Sequence, residues 1–401
     1  MTLAHGRRYL AIPGPSTMPD RVLAAMHRAA PNIYAGELPE MVGTLWPDLR
    51  RLAGTSGHVA LYIANGHGAW EAANMNLFSR GDRALVLATG RFGIAWAESV
   101  KPLGVTVEML DFGTASPVDP ARVEQALRAD RQHGIKAVLV THVDTASSVR
   151  NDIPAIRAAI DAAGHPALLA VDCIASMGCD PFHMDDWGVD VVVSASQKGL
   201  MVPPGLGVLW ISDRAMERCR DSDLRTPYWN WTPRATASEF WQHWAGTAPT
   251  HHLFALRESL TMIAEEGLPA VWARHAALAQ TVWAAVEAWG EGHPDIALNV
   301  ADPAHRGHAV TALRLGPAPN ATRLRDWTEQ KAGVTLGIGL GMAAPDDPAW
   351  HGFLRVAHMG HVNAHMTLGA LAVMQAGLIA LDIPHGLGAL EAAARVVARL
   401  A

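Results

Sequence analysis

Two residues follow apolar runs at positions that suit covalent catalysis. Lys198 lies four residues beyond the run VDVVVS (189–194), and Asp172 comes directly after ALLAV (167–171). If both runs are parallel strands, the amine and the carboxylate lie at the sheet edge where open α/β sheets bind ligands. Desolvation at such an edge lowers the pKa of a lysine and makes it a nucleophile. Taken singly, each residue has an alternative: an exposed loop lysine, and a carboxylate that caps a helix or binds a metal.

Together, the amine and the acid suit the chemistry of one cofactor, pyridoxal phosphate (PLP). The 26 positions from Asp172 to Lys198 leave room for one crossover to a neighbouring strand. A lysine binds the cofactor aldehyde covalently, and a carboxylate pairs with the protonated pyridine nitrogen, which makes the ring an electron sink. The pair therefore predicts a PLP site.

A glycine-rich turn, Asn65-Gly66-His67-Gly68, follows the apolar run 59–64 and begins a helical pattern. Free backbone amides and the helix dipole would form an anion site in this turn. The turn lacks the Gly-Lys-Ser/Thr of a Walker loop and the GxGxxG dinucleotide fingerprint. A plain turn without a ligand is the alternative.

Short apolar runs alternate with helical patterns between residues 59 and 211, as in strand–helix–strand folds. The runs lack polar alternation, which is typical of strands covered by helices on both faces. Helical patterns with a closing glycine fill the intervals at 119–134 and 153–164. We therefore predict an α/β fold with a mostly parallel seven-stranded sheet. The predicted strands are 59–64, 84–88, 105–110, 136–141, 167–171, 189–194 and 207–211.

The chain beyond residue 211 differs in composition and periodicity. Residues 221–252 are rich in Trp, Thr, Pro and His and lack periodicity, and a long helical stretch over 252–290 is interrupted near Gly267. Residues 291–401 mix strand-like pieces with two Ala-rich helices, which predicts a smaller α+β domain. The predicted organisation is an N-terminal arm over 1–16, a large domain over 17–266 and a small C-terminal domain over 267–401.

Composition excludes several classes of protein. Half of the 401 residues are hydrophobic, which excludes disorder. With 32 Lys and Arg against 38 Asp and Glu, the net charge is −6, so no basic field favours nucleic acid or an anionic membrane. Three cysteines suit a reducing cytoplasm, and no signal peptide or membrane-spanning run is recognisable. We expect a cytoplasmic protein without nucleic-acid or membrane partners.

Segments along nearly the whole chain resemble one family, the class V PLP-dependent aminotransferases of fold type I. The resemblance is to the serine–glyoxylate and alanine–glyoxylate aminotransferases, and it implies a PLP-dependent transferase fold of type I. The matching segments are IPGPSTMP (12–19), ANGHGAWEAANMNLFSRGD (64–82), ATGRFGIAW (88–96), VDCIASMG (171–178), SASQKGLMVPPGLG (194–207), LFALRESLTMIAEEGL (253–268), TLGIGLG (335–341) and FLRVAHMGHVN (353–363).

The resemblance implies roles for particular residues. It makes Lys198 the lysine that binds the cofactor and Asp172 the partner of the pyridine nitrogen. Arg355 takes the place of the arginine that grips the substrate α-carboxylate, a task suited to its planar fork. The remaining implied cofactor contacts are Asn65, Gly66 and His67 at the phosphate, Gln197 beside it, Phe92 stacked on the ring and the Thr145 hydroxyl near it.

Two implied contacts lie outside these strand-end segments. Thr247 matches a threonine that reaches the phosphate of the neighbouring subunit, which implies a homodimer with shared active sites. The family often places Tyr three residues earlier, where this chain has Trp244. Tyr34 lies in the segment Asn32 to Glu37, whose sequence departs from the family pattern. In the family this segment is near the substrate, so Tyr34 is a candidate substrate-binding residue.

The resemblance implies a ping-pong transaminase that moves the amino group of serine or alanine to glyoxylate or pyruvate. The alternatives are pyridoxamine–pyruvate or aspartate–glyoxylate transamination, a PLP lyase on the same scaffold, and a binding protein without turnover. A desulfurase needs a cysteine late in the chain, and the last one here is Cys219. We expect no metal site, since local hydrogen bonding accounts better for His358, His361 and His365.

Overall fold

The structure, a computed structural model, describes residues 2–344 and 346–400. Its strands are β1 Tyr9–Ala11, β2 His58–Ala64, β3 Arg83–Ala88, β4 Thr106–Asp111, β5 Ile135–Thr141, β6 Leu168–Asp172, β7 Val191–Ala195, β8 Gly205–Ile211, β9 Ile296–Leu298, β10 Val310–Leu315, β11 Val334–Ile338 and β12 Phe353–Ala357. Its α-helices are α1 Asp20–Met26, α2 Glu37–Gly43, α3 Leu45–Ala53, α4 Gly66–Leu77, α5 Arg91–Val100, α6 Pro120–Ala129, α7 Ile153–Ala162, α8 Asp213–Cys219, α9 Thr232–Ala235, α10 Thr250–Glu266, α11 Leu268–Gly290, α12 Asn320–Ala332, α13 Ala364–Ala380 and α14 Ala389–Leu400. Short 3₁₀ turns occupy Lys101–Leu103, Phe240–His243, Pro303–His305 and Pro348–Gly352.

The larger sheet has seven strands in the order β2-β8-β7-β6-β5-β3-β4. Each of the seven predicted runs is one of these strands, shifted by at most two residues at either end. Strands β3 to β7 pair in parallel, whereas β8 runs antiparallel to both β2 and β7. The predicted mostly parallel α/β sheet is therefore confirmed.

Helices cover both faces of this sheet, which explains why its strands lack polar alternation. Alternate residues of one strand enter different cores: Leu85 and Leu87 pack on one face, and Ala84 and Val86 on the other. Both sets are fully buried. Burial on both faces requires apolar residues at consecutive positions, which is the pattern that predicted the strands.

The C-terminal part forms a second, five-stranded sheet in the order β1-β11-β12-β10-β9 with its own core. This confirms the smaller α+β unit, and its edge strand β1 comes from the chain's N-terminal segment and pairs in parallel with β11. The long helical stretch breaks at Gly267, as predicted, where φ is +84° and α10 gives way to α11. The boundaries at residues 16 and 266 stay predictions.

Tryptophans of the aperiodic segment divide between the interior and the surface. Trp231 and Trp244 are fully buried, whereas Trp241 exposes 61% of its surface. Within residues 2–344 and 346–400, no helix combines the length and the apolar character needed to cross a bilayer. The three cysteines, Cys173, Cys179 and Cys219, are unpaired and buried.

Candidate active site

The fold brings Asp172 and Lys198 to the same edge of the larger sheet. Asp172 is the last residue of β6 and pairs with Val193 of β7, the adjacent parallel strand. Strand β7 ends at Ala195, and Lys198 lies three residues farther on. The expectation that acid and amine follow neighbouring parallel strands is confirmed.

The Lys198 side chain is enclosed, with 9% of the residue exposed. Its Nζ donates a hydrogen bond to the Pro13 carbonyl oxygen. Gly14 lies against the amine at φ +101°, and a Cβ added there would be 2.6 Å from Nζ, so the approach requires glycine. Burial lowers the pKa of Lys198 to about 8, and the positive charge of Arg355 also lowers it. An amine with this pKa is partly uncharged near neutral pH and can act as a nucleophile or base.

The Asp172 carboxylate is buried and receives one hydrogen bond at each oxygen. Ile174 N donates to Oδ1 at 2.6 Å and Trp70 Nε1 donates to Oδ2 at 3.1 Å. Burial raises the pKa of Asp172 to about 7, while both donors act to lower it. A cation placed beside this carboxylate would favour the ionised form.

Arg355 extends from β12 of the smaller sheet into the same site and is 5% exposed. Its Nε donates to Ile338 O and its Nη1 donates to Thr145 O, both at 2.8 Å. Burial lowers the pKa of Arg355 to about 10, so the group is cationic at neutral pH. The two backbone carbonyls hold the guanidinium in place, near enough to the Lys198 amine for its charge to lower the pKa of that amine.

A buried carboxylate, Asp144, holds the Phe92 turn at the site. Its Oδ2 accepts from Phe92 N at 2.8 Å and Gly93 N at 3.1 Å, and its Oδ1 accepts from Ala146 N at 2.9 Å. The carboxylate thereby caps the start of α5 and ties it to the loop that carries Thr145, which is itself buried. The ring of Phe92 lies edge-on to Trp70 with centroids 6.4 Å apart.

The predicted anion turn needs a correction. Asn65 is the N-cap of α4, and its Oδ1 accepts from His67 N at 3.1 Å and Gly68 N at 3.3 Å. Those two amides are therefore engaged by the cap and are not free. Asn65 and His67 are exposed, whereas Gly66 is buried with its Cα against Ile174, the residue whose amide bonds Asp172.

Gln197 lies directly beside the lysine, where the carbonyl oxygen of Gln197 accepts from Ser16 N at 2.9 Å. The Ser16 hydroxyl donates to Lys198 O at 2.7 Å. The side-chain Oε1 of Gln197 is buried and has no hydrogen-bond partner among the described residues. A terminal amide in that position can turn its N–H groups toward an anionic ligand.

Two predicted site residues lie apart from this cluster. Tyr34 exposes 89% of its surface, and Thr247 is also exposed. Trp244 is 1% exposed and packs against Phe240 in the core of the large sheet, with ring centroids 5.9 Å apart. Within one chain, therefore, neither Tyr34 nor Thr247 joins Lys198, and Trp244 belongs to the interior.

The residues present fit PLP. Lys198 offers an amine with a lowered pKa, and Asp172 offers a buried carboxylate on the adjacent strand. Phe92 supplies an aromatic ring, and the buried, unpartnered amide oxygen of Gln197 marks a polar position beside the lysine that the protein leaves unsatisfied. This donor set matches a ligand with an aldehyde, a basic ring nitrogen and a phosphate.

The histidines near the C-terminal strands make local hydrogen bonds. His358 is buried between His308 O at 2.8 Å and Thr311 Oγ1 at 2.9 Å, whereas His361 and His365 are exposed. In the part of the chain that the structure describes, no group of three or more His, Cys, Asp or Glu is placed to hold a metal ion.

Sequence reasoning missed Trp70, Asp144 and the backbone of Pro13 and Gly14. Trp70 lies five residues after Asn65, inside the matched segment 64–82, but its N–H partner is 102 residues away. Asp144 directly precedes Thr145, a proposed cofactor contact, and this position could have indicated that Asp144 belongs to the site. Nothing local in the sequence indicates that residues 13 and 14 meet Lys198.

Comparison with known proteins agrees with this geometry. A family model of class-V aminotransferases matches residues 8–356. The serine–glyoxylate aminotransferase of Methylorubrum extorquens is 36% identical over 380 residues, which is 93% of this chain and 92% of that protein. The L-aspartate–glyoxylate aminotransferase of Paracoccus denitrificans is 33% identical over 385 residues, which is 96% of this chain and 94% of that protein.

The fold has solved counterparts. The crystal structure of ureidoglycine–glyoxylate aminotransferase from Bacillus subtilis superposes with a TM-score of 0.88 at 23% identity and covers 99% of both chains. This likeness confirms the expected fold type I, and the family implies PLP as the cofactor. From the Lys198 and Asp172 strand ends, the family model and the sequence identities, we conclude that the chain belongs to the class-V aminotransferase family.

Proposed function

We propose that this aminotransferase moves the amino group of a small amino acid, serine or alanine, to a small 2-oxo acid, glyoxylate or pyruvate, in two half-reactions. The observation that carries the proposal is the buried group of Lys198, Asp172 and Arg355. The larger sheet positions the first two and the smaller sheet the third, and hydrogen bonds to Pro13 O, Ile174 N and Thr145 O hold them. A protein that only binds a cofactor needs no buried guanidinium beside the amine.

Each proposed site residue has a task that follows from its surroundings. Lys198 would hold the cofactor aldehyde, Asp172 the pyridine nitrogen and Phe92 the ring. By the family match, Asn65, Gly66, His67 and Gln197 would hold the phosphate, through groups other than the His67 and Gly68 amides that Asn65 engages, and the Thr145 hydroxyl would lie near the ring. When bound, PLP supplies an electron sink that makes the Cα–H of an amino acid acidic.

The protein's own groups bind the substrate and move its proton. Arg355 would bind the α-carboxylate with the remaining guanidinium N–H groups, because Nε and Nη1 are engaged by backbone carbonyls. Once the substrate's amine had replaced it at the cofactor aldehyde, the freed Lys198 amine, whose pKa is about 8, could accept the proton from Cα and return it at the carbon that receives it. The enclosure of Lys198 excludes water from this transfer.

The proposal of small substrates rests on the number of buried cations at the site. Arg355 is the arginine whose charge acts on Lys198, and a dicarboxylate would need a second cationic contact. The relative named serine–glyoxylate aminotransferase is 36% identical to this chain. Trp244, which stands where the family often places Tyr, lies in the hydrophobic core and so gives the pyridoxamine–pyruvate alternative no support.

We further infer a homodimer with shared active sites and a cytoplasmic location. Support for the dimer comes from the exposure of Thr247, Asn65 and His67, which the family match assigns to one phosphate site. Tyr34, also exposed, would lie near the substrate once a second copy is in place. Three unpaired cysteines support the reducing compartment.

The test is a half-reaction screen on the PLP-loaded protein. Each of the common amino acids is added in turn, and the loss of the cofactor's visible absorption band is timed; the amino form is then treated with a panel of 2-oxo acids. We expect serine or alanine to react fastest and glyoxylate to restore the band fastest. Faster reaction of aspartate or pyridoxamine would contradict the substrate assignment.

The attachment point is tested separately. Borohydride makes a lysine–pyridoxal bond permanent, and digestion followed by mass spectrometry locates the added mass. We expect it on the peptide that contains Lys198. Its appearance on a peptide with Lys101, Lys136 or Lys331 would refute the assigned role of Lys198.

A further inference from the structure

Trp70 is joined to the site by a single polar contact. The residue is 1% exposed on α4, and its indole N–H donates to Asp172 Oδ2 at 3.1 Å. The other carboxylate oxygen accepts from Ile174 N at 2.6 Å. With one donor at each oxygen, the two hydrogen bonds fix the plane of the carboxylate. The donor from Ile174 is a backbone amide, so a substitution of Trp70 leaves it in place.

The Trp70 indole is itself held firmly. It stacks on Trp96 with centroids 5.8 Å apart and an angle of 7° between the planes. The ring of His67 lies 4.8 Å away and the ring of Phe92 lies 6.4 Å away. These neighbours restrict the rotation of the indole, so the direction of its N–H is fixed by packing.

The stacked partner Trp96 does not touch Asp172. Its N–H donates to Asn74 Oδ1 at 2.9 Å, and Asn74 Nδ2 donates to Ser99 Oγ at 3.0 Å. Trp96 is as buried as Trp70 and belongs to the same hydrophobic core. The two tryptophans therefore have equal packing roles and differ in which group the N–H serves.

A buried carboxylate needs donors to remain ionised. Desolvation favours the neutral acid, and hydrogen bonds to the carboxylate oppose it. An aliphatic or phenyl side chain could fill the space of the indole but would leave Oδ2 without its donor. An acid that holds its own proton would pair with an unprotonated pyridine nitrogen, which withdraws electrons less strongly.

We propose that Trp70 is a positioning residue that acts through Asp172: its N–H orients the carboxylate and keeps it ionised, so that a proton resides on the pyridine nitrogen of the bound cofactor. This inference rests on the proposed function. It assigns a second task to the segment that follows the Asn65 turn, since α4 supplies both the phosphate turn and this donor.

The experiment compares Trp70→Phe with Trp96→Phe in the protein loaded with PLP labelled with ¹⁵N in the ring. The ¹⁵N resonance separates protonated from unprotonated pyridine nitrogen. We expect the wild type and Trp96→Phe to give the protonated position and Trp70→Phe to shift toward the unprotonated one. In the same preparations, kcat of Trp70→Phe should fall about tenfold, the loss expected for one hydrogen bond to a charged group, while KM for the amino donor changes less than about twofold.

A purely structural role predicts a different result. Both variants would then lose similar amounts of thermal stability, with the ¹⁵N position unchanged in each, and the proposal would be overturned. Trp70→Leu, which also lacks the N–H, replaces the phenylalanine variant if that one misfolds. An unprotonated ring nitrogen in the wild type overturns the proposal without any variant.

Failure of the proposed function looks different again. If the wild-type protein neither binds PLP nor transfers amino groups, the function and the inference fail together. If it does both while Trp70→Phe behaves like Trp96→Phe, only the role of Trp70 is wrong.

Discussion

The two halves of the proposed site differ in how they are built. The half that would act on the cofactor ring is buried within one chain. Lys198 and Arg355 donate to backbone carbonyls, and Asp172 accepts from Ile174 N and Trp70 Nε1. The half assigned to the phosphate lies largely at the surface, with Asn65, His67 and Thr247 exposed, although Gly66 and the side-chain oxygen of Gln197 are buried. The fold alone organises the chemical half, whereas the phosphate half would need the second copy of the proposed homodimer.

The largest expected effect concerns the buried half. Lys198→Ala should reduce transamination about a thousandfold, because the group that moves the proton is lost. The measurement is the rate of the half-reaction with serine. Lys136→Ala is the matched control, since that half-buried lysine of β5 donates to the carbonyl oxygen of His133, just before the strand. Equal losses in both variants would show that the effect arises from the sheet and not from the amine.

Arg355→Gln should raise KM for the amino donor roughly 10- to 100-fold with a smaller change in kcat, since hydrogen bonds to a charged group are lost. Because the charge of Arg355 lowers the pKa of Lys198, the variant should also titrate Lys198 at a higher pH than about 8.

The control for Arg355 is Arg306→Gln. Arg306 is equally buried and donates to two backbone carbonyls, Val300 O at 2.8 Å and Ala301 O at 2.7 Å. We expect it to change thermal stability without changing KM. A normal KM in Arg355→Gln would remove the arginine from the substrate site.

At the exposed half, Thr247→Val should weaken PLP binding about tenfold through one lost hydrogen bond to the phosphate of the partner copy. The free energy of unfolding of the chain should change by less than about 0.5 kcal/mol, as for other surface residues. Thr236→Val, another exposed threonine in the same segment, is the control. Unchanged PLP affinity together with a monomeric mass in solution would reject the shared site.

The smallest expected effect is the contribution of Asp172, in the buried half, to the pH dependence of stability in the protein without cofactor. Asp172 has a raised pKa of about 7, so the folded state holds a proton that the unfolded state releases near 3.8. Stability from this group is therefore present at low pH and lost as pH rises toward 7. The Tm of Asp172→Asn should fall less between pH 5 and pH 8 than that of the wild type, by roughly a few degrees. Parallel pH curves would contradict the raised pKa.

Much of the fold follows from local sequence patterns. Consecutive apolar residues such as those of β3 predict strands buried on both faces, and the spacing of Asp172 and Lys198 places them on neighbouring strands. Each inference uses residues close in sequence, where periodicity and crossover length limit the possibilities.

The rest depends on contacts that no local pattern encodes. Arg355 meets Thr145 across 210 positions, and Trp70 meets Asp172 across 102. Asn65 accepts hydrogen bonds from the His67 and Gly68 amides. The turn sequence does not reveal whether these amides bind a ligand or the N-cap side chain. The exposure of Tyr34 could not be predicted either, because its segment, Asn32 to Glu37, departs from the family pattern and has no periodicity of its own.

The parallel pairing of β1 with β11 has a consequence for the order of assembly. Tyr9 pairs with Val334, and a few residues beyond this strand Pro13 and Gly14 lie on the Lys198 amine. During synthesis at about 5–20 residues per second, the leading strand must wait roughly 15–65 s for its partner to leave the ribosome. Pro13 and Gly14 therefore reach their places over the Lys198 amine late in synthesis. A ribosome that stalled before β11 would leave a nascent large sheet whose Lys198 amine is exposed to solvent.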